Sequence, residues 1–453
     1  MNPARTRNVK RAMTTPTATP NSTDLKTRID EAPMSAFQVL MVVICFVLNM
    51  NDGIDVLVVS FTGPELIREW NLSKSELGYV FSAGLAGMTA GCFLLAPFGD
   101  KVGRRTLFIV SLSLITAGML LAGLVTAYYQ LLLLRIVTGL GIGGILPTLA
   151  AVAAEFSNHK RRDFSVGIVQ AGWPIGAILT GFFTVWAIPA LGWRACYVAA
   201  GGVSALMLIG IVLFMPESPG FLVERQPKNA LKRVNTLLLR MGHAALPALP
   251  SRPANRARVP FADLFGPEYR ASTFRLWAGV FFGFLTLYTL MSWVPTIAKD
   301  AGMPFELATY VGTTLNVGAF AGSLGFGLIV TRTGLRRLIA WFMAIAFGIM
   351  LLFGNLSLTY RLMFALTFLI GFFVQGGFNG FYPTAARVYP VAMRTTGVGL
   401  AMGVGRFGAI LGPALFGALS DAGLSKAALF TLFSLPLLVA GLMAFTIPSK
   451  NLD

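Results

Sequence analysis

The chain reads as an all-α membrane protein, with twelve transmembrane helices in two six-helix repeats. Three observations predict this. Of 453 residues, 55% are hydrophobic and 12% charged, and the mean hydropathy is +0.71; soluble domains run at roughly 45–50% apolar and about 25% charged. Apolar runs long enough to span a bilayer recur six times on either side of a hydrophilic stretch at 216–272. Basic residues also concentrate in alternate connections.

In chain order, residues 1–34 are polar and rich in Thr and Pro, and carry Arg5, Arg7, Lys10, Arg11, Lys26 and Arg28. No apolar core follows these charges until about residue 37, so a signal peptide is not supported; a disordered, retained tail is expected. A first bundle over 35–215 contains runs at 37–61, 75–98, 106–127, 129–155, 164–188 and 194–215. After the central loop at 216–272, a second bundle over 273–447 contains runs at 273–298, 305–330, 337–357, 361–386, 395–420 and 427–447. Residues 448–453 form a closing tail.

The tail and alternate connections hold Lys101, Arg104, Arg105, Lys160, Arg161, Arg162, Arg332, Arg336, Arg337 and Arg394, and the central loop adds nine more basic residues between Arg225 and Arg270. The opposite connections hold little beyond Arg68, Lys74, Arg194, Lys299, Arg361 and Lys426. Basic residues mark the cytoplasmic face, so both termini and the central loop are expected inside a bacterial inner membrane. The net charge of +17 is then a topology signal and an attraction to acidic lipid, with no nucleic-acid partner.

An internal repeat supports the two halves. Gly103-Arg104-Arg105 recurs as Gly334 with Arg336 and Arg337, and Gly176-Ala177-Ile178-Leu179 as Gly408-Ala409-Ile410-Leu411, at offsets of 231 and 232. Pro147-Thr148 returns as Pro383-Thr384. Repeated halves around a midplane site are a common construction of secondary transporters.

Several chemistries lack support. Cys45, Cys92 and Cys196 sit in apolar runs without CxxC spacing, and His159 and His243 lie in hydrophilic connections. No HExxH, GxSxG or Walker A sequence occurs. No enzyme activity, metal or cofactor is expected. The run Gly139-Leu140-Gly141-Ile142-Gly143-Gly144 follows no strand and lies inside a span, which suits close helix packing better than nucleotide binding. The Gly84-Leu85-Ala86-Gly87 run reads the same way.

Span one places Asp52 and Asp55 three residues apart, on one helical face. An ionised aspartate at mid-bilayer costs about 2.5–3.5 kcal/mol on insertion scales. A carboxyl that gains and loses a proton as the site opens to either side is what proton coupling requires; the alternative is solvated aspartates near the outer end. Arg406, central in span eleven, needs an anion, which is either a substrate carboxylate or Asp52 or Asp55. Arg135 in span four lies nearer the outer boundary, where snorkelling would account for it. Arg387, near the inner end of span ten, reads as a gate or a topology anchor. Gln375, Asn379 and Tyr382 share a stripe of span ten; they are substrate-binding donors or polar glue between helices. Trp173, Phe281, Tyr288 and Trp293 are candidates for aromatic walls.

The loop Gly99-Asp100-Lys101-Val102-Gly103-Arg104-Arg105 resembles the signature of the major facilitator superfamily, as do Arg135-x-x-x-Gly139-x-Gly141 and Pro216-Glu217-Ser218-Pro219. Asp52-Gly53-Ile54-Asp55, Tyr382-Pro383, Arg394-Thr395-Thr396-Gly397-Val398-Gly399 and the segment from Gly403 to Pro413 are similar to the aromatic acid:proton symporter family within it. The resemblance covers about residues 35–447. It implies a major facilitator fold and proton-driven import of a benzoate-like acid or a ring-cleavage-derived carboxylate by a monomer. It also implies coupling at Asp52 and Asp55, and gating by Asp100 with Arg104, Arg105, Arg135, Glu155, Arg387 and Arg394. Other readings are a different organic anion such as a dicarboxylate, efflux, or a transporter-like sensor. The chain departs from the pattern at Lys101, where arginine is common, and at Thr331, which stands where Asp100 stands in the first half.

Overall fold

A computed structural model of the chain describes residues 28–250, 261–357 and 359–448. Among these, twelve helices are long and apolar enough to cross a membrane, making this a multi-pass membrane protein. The first six are Ala36–Trp70, Lys74–Val102, Arg104–Ala122, Tyr128–Phe156, Arg162–Leu191 and Trp193–Phe214. The seventh to twelfth are Arg270–Asp300, Phe305–Thr333, Leu335–Asn355, Tyr360–Val388, Thr396–Asp421 and Lys426–Thr446. The first helix runs well past its apolar stretch, through Pro64, before a left-handed Asn71 ends it. Ser35 starts it with a capping box, its Oγ accepting from the Gln38 N–H while Gln38 Oε1 accepts from the Ser35 N–H at 2.9 Å. Ser73 and Glu76 do the same for the second helix.

Helices pack in corresponding pairs in the two halves: first on fifth and second on fourth, then seventh on eleventh and eighth on tenth. Glycine makes each approach possible. A methyl on Gly139 would stand 2.1 Å from the Gly84 carbonyl oxygen, and one on Gly322 would stand 2.0 Å from that of Phe372. The repeated Gly-Ala-Ile-Leu motif has the same cause. Gly176 lies against the Met50 carbonyl of the first span and Gly408 against the Phe281 carbonyl of the seventh. These backbone-to-backbone contacts replace the hydrophobic drive that a lipid solvent does not supply.

The halves meet through the first and seventh, second and eleventh, and fifth and eighth spans. Toward the end of the bundle opposite the termini this seam is stitched. Ser60 Oγ donates to the Met291 carbonyl at 2.7 Å, Ser82 Oγ donates to that of Ile410 at 2.6 Å, and Lys74 pairs with Asp300 at 2.6 Å. The carboxylate of Asp421, the last residue of the eleventh span, accepts from the Lys74 and Ser75 N–H groups at 3.0 and 2.7 Å.

Two expectations need correction. The tail was expected to be disordered to residue 34, yet its last residues are docked: Asp30 pairs with Arg162, and the Ala32 carbonyl accepts from Asn158 Nδ2 at 2.9 Å. Residues 1–27 lie outside the described residues. The central stretch also carries helices at Pro219–Arg225 and Ala230–Arg240, the second strongly amphipathic, with Val234, Leu237 and Leu238 buried. Apolar residues every three to four positions give such a helix a face to dock.

Candidate functional site

The charged groups inside the bundle gather where the halves meet. Asp52 and Asp55 are 6% and 1% exposed on the first span, and Arg135, on the fourth, is 3% exposed. Arg135 Nη1 bonds Asp55 Oδ1 at 2.9 Å. Snorkelling therefore does not describe Arg135; it turns inward because a buried carboxylate on the first span neutralises it. Gly84 makes room for it, since a methyl there would stand 2.9 Å from Arg135 Nη2. Asp55 Oδ2, Asp52 Oδ1 and Arg135 Nε have no hydrogen-bond partner among the described residues. A cavity of about 10 Å³, the size of a single water, adjoins Asp55, Arg135, Tyr288 and Ser292.

Arg406 stands across the seam on the eleventh span. Its Nη1 touches Met88 Sδ, and its charge lies within electrostatic reach of Asp52, Tyr288, Tyr382 and Cys92. No ion pair joins Arg406 to Asp52 or Asp55 among the described residues, and Asp55 is held by Arg135. Of the two partners the sequence left open for Arg406, the internal one is not formed. Arg135 is a second buried cation beside the same seam.

Around Arg406 the rings are continuous. Tyr288 packs on Phe284 at 5.4 Å between centroids, Phe284 on Phe378 at 4.3 Å, and Phe378 on Tyr382 edge-on at 6.0 Å. Gly405 lets Phe284 come close to the eleventh span. Tyr382 keeps 44% of its surface open. Phe284 and Phe378 escaped notice in the sequence, where nothing separates them from the other phenylalanines. Among the expected wall residues, Trp173 stands against Asp52, whereas Trp293 is a strut, its Nε1 donating to the Pro413 carbonyl at 3.0 Å. Asn379 ties the tenth span to the eighth, its Nδ2 donating to Ser323 Oγ at 2.7 Å, and within the tenth span Gln375 Nε2 donates to Asn379 Oδ1 at 2.9 Å. Both are half-buried, so this network leaves part of each amide uncovered.

At the termini end, Arg104 pairs with Glu155, which also accepts from the Gly220 N–H at 3.3 Å. Glu217 caps the third span, its Oε1 accepting from the Arg104 and Arg105 N–H groups at 2.7 and 3.1 Å. Arg105 Nη2 donates to the Val212 carbonyl at 2.7 Å. The cap thus comes from Glu217 of the central stretch and not from the signature loop itself. Asp100 is exposed and contributes its carbonyl to Arg225 Nε at 2.9 Å, and Arg394 is exposed in turn. Arg387 is exposed on the last turn of the tenth span.

A twelve-span bundle with buried charge along the seam of two repeated halves defines a membrane transporter, not an enzyme. The chain belongs to the Major Facilitator Superfamily, whose model matches residues 41–357 and 276–452. It is 33% identical to a gallate transporter of Pseudomonas putida over 92% of this chain and 94% of that one. It is 30% identical to a 4-hydroxybenzoate transporter of Acinetobacter baylyi (86% and 87% covered), and 29% to a 3-(3-hydroxy-phenyl)propionate transporter of Escherichia coli (92% and 96%). These relatives are aromatic acid permeases of that superfamily. Among solved structures, a D-xylose-proton symporter superposes with a TM-score of 0.71 at 16% identity, covering 92% of this chain and 99% of that one.

Proposed function

We propose that the protein is a proton-coupled symporter that carries an aromatic carboxylate, benzoate-like or ring-derived, into the cell by alternating access. The observation that carries this reading is the pairing at the seam: Asp55 is held by Arg135, while Arg406 faces the halves' interface among aromatic rings with no carboxylate partner among the described residues. A planar guanidinium takes a carboxylate through two parallel bonds, and Tyr288, Phe284 and Tyr382 offer faces and edges for its ring. Asp52 lies within electrostatic reach of Arg406, so an arriving anion and the proton on Asp52 favour one another. That is the linkage a symporter needs. The relatives' transport of gallate and 4-hydroxybenzoate supports the substrate class.

The termini end is the cytoplasmic one in this reading, from the distribution of basic residues. The seam is stitched at the opposite end, which supports an inward-facing conformation. The test is uptake of a panel of labelled aromatic acids into proteoliposomes with an inward proton gradient, with and without a protonophore. Accumulation that the protonophore abolishes supports the reading; accumulation indifferent to it refutes coupling. Binding of the acid with no exchange of label in a counterflow assay would make the protein a sensor.

A further inference from the structure

Where the eighth span ends and the ninth begins, Arg332, Arg337, Trp341, Phe342 and Ile345 line an open cavity of about 520 Å³ on the flank of the bundle. Arg337, Trp341 and Ile345 recur every four residues and form one stripe of the ninth span, basic at the termini end and apolar deeper in. The stripe faces away from the core: Trp341 is 66% exposed, and Ile345 is exposed too. Among the described residues neither Arg332 nor Arg337 is in an ion pair.

The repeat makes this unusual. After Gly103 the corresponding turn of the first half is balanced by Glu217 and Glu155. After Gly334 no carboxylate approaches among the described residues, and Arg336 donates instead to the Ile447 carbonyl at 2.7 Å. The second half thus keeps positive charge at the membrane surface, next to an apolar groove.

We propose that this cavity binds an anionic phospholipid, its phosphate between Arg332 and Arg337 and its acyl chain along Trp341 and Ile345. Basic pockets at the cytoplasmic ends of spans suit such headgroups, and tryptophan favours the headgroup level. A soluble anion would use the arginines alone and leave the stripe uncovered. The assignment does not depend on which solute is carried.

The test is native mass spectrometry of the purified protein exchanged into mixed phosphatidylglycerol and phosphatidylcholine. Wild type should retain phosphatidylglycerol preferentially. Arg332→Gln/Arg337→Gln should lose that preference by about tenfold, the scale of one to two basic contacts with an anionic leaflet. The control Lys232→Gln/Arg233→Gln, which removes equal charge from the exposed face of the loop helix, should keep it. Should the double variant not fold, Arg332→Gln and Arg337→Gln singly carry the comparison, each with a partial loss. Equal retention by variant and wild type, equal loss in the control, or displacement of the lipid by millimolar inorganic phosphate would each overturn the proposal.

Discussion

At the scale of single residues, Asp55 and Arg135 form a buried ion pair whose members depend on each other. Removing one partner of such a pair typically costs about 3–5 kcal/mol, because the other charge stays buried. Asp55→Asn should therefore lower folded yield in detergent more than Arg135→Ala, because the Arg135 guanidinium cannot shed its charge whereas an unpaired Asp55 can take up a proton. Asp52→Asn should insert normally yet lose uphill accumulation, and the Asp55→Asn protein that does fold should lose it too, since an amide does not titrate; normal accumulation in both would remove these aspartates from the coupling step. Arg406 gives a separate test. Arg406→Lys keeps the charge but not the planar fork, and should raise the half-saturation concentration, while Arg406→Gln should lose nearly all high-affinity uptake. If substrate binding survives in Arg406→Gln/Asp52→Asn, the carboxylate site lies elsewhere. The aspartates and Arg406 were legible in the sequence because ionisable groups rarely sit in apolar runs. The partner of Arg135 was not: a position along one span fixes depth only roughly, and which way the side chain turns depends on the first helix beside it.

At the scale of helices, two glycines make opposite predictions. A methyl on Gly143 would stand 2.0 Å from the Met88 carbonyl oxygen, whereas one on Gly167 meets nothing within 4 Å. Gly143→Ala should force the second and fourth spans apart and lower the melting temperature in detergent. Gly167→Ala should leave it unchanged or raise it, since glycine in a helix is about 0.5–1 kcal/mol worse than alanine. A fall for both would mean that helix packing is not what these glycines serve. The twelve apolar runs located the helices to within a few residues, with two exceptions. The first helix overruns because residues 62–70 stay helical past the apolar stretch until the left-handed Asn71 ends them, and the loop helices were hidden because their apolar faces are short. Glu217 was visible as part of a motif, but its role as cap of the third span comes from a loop folding back across the chain. Glu217→Ala should cost about 0.5–2 kcal/mol, the usual worth of a cap, read as a lower melting temperature with substrate affinity unchanged.

For the molecule as a whole, the closed seam is held at one end by Asp421, which caps the second span of the other half, and by the half-exposed Lys74–Asp300 pair. These partners lie on the surface, where water and salt readily take their place. Asp421→Asn/Asp300→Asn should expose Ser82, buried in the seam. In a protein whose three cysteines are replaced by serine, Ser82→Cys should then react faster with an impermeant thiol reagent applied from that side. An unchanged rate would show that apolar packing alone holds the seam. The helix cap, the surface pair and the Ser60 and Ser82 hydrogen bonds across the seam are together worth only a few kcal/mol net. A latch so shallow leaves neither orientation of the carrier far below the other, so thermal energy suffices to reset it between cycles. Turnover is then limited by what the seam must desolvate and not by what it must break, and the empty protein is expected to sample both faces of the membrane many times for each molecule carried.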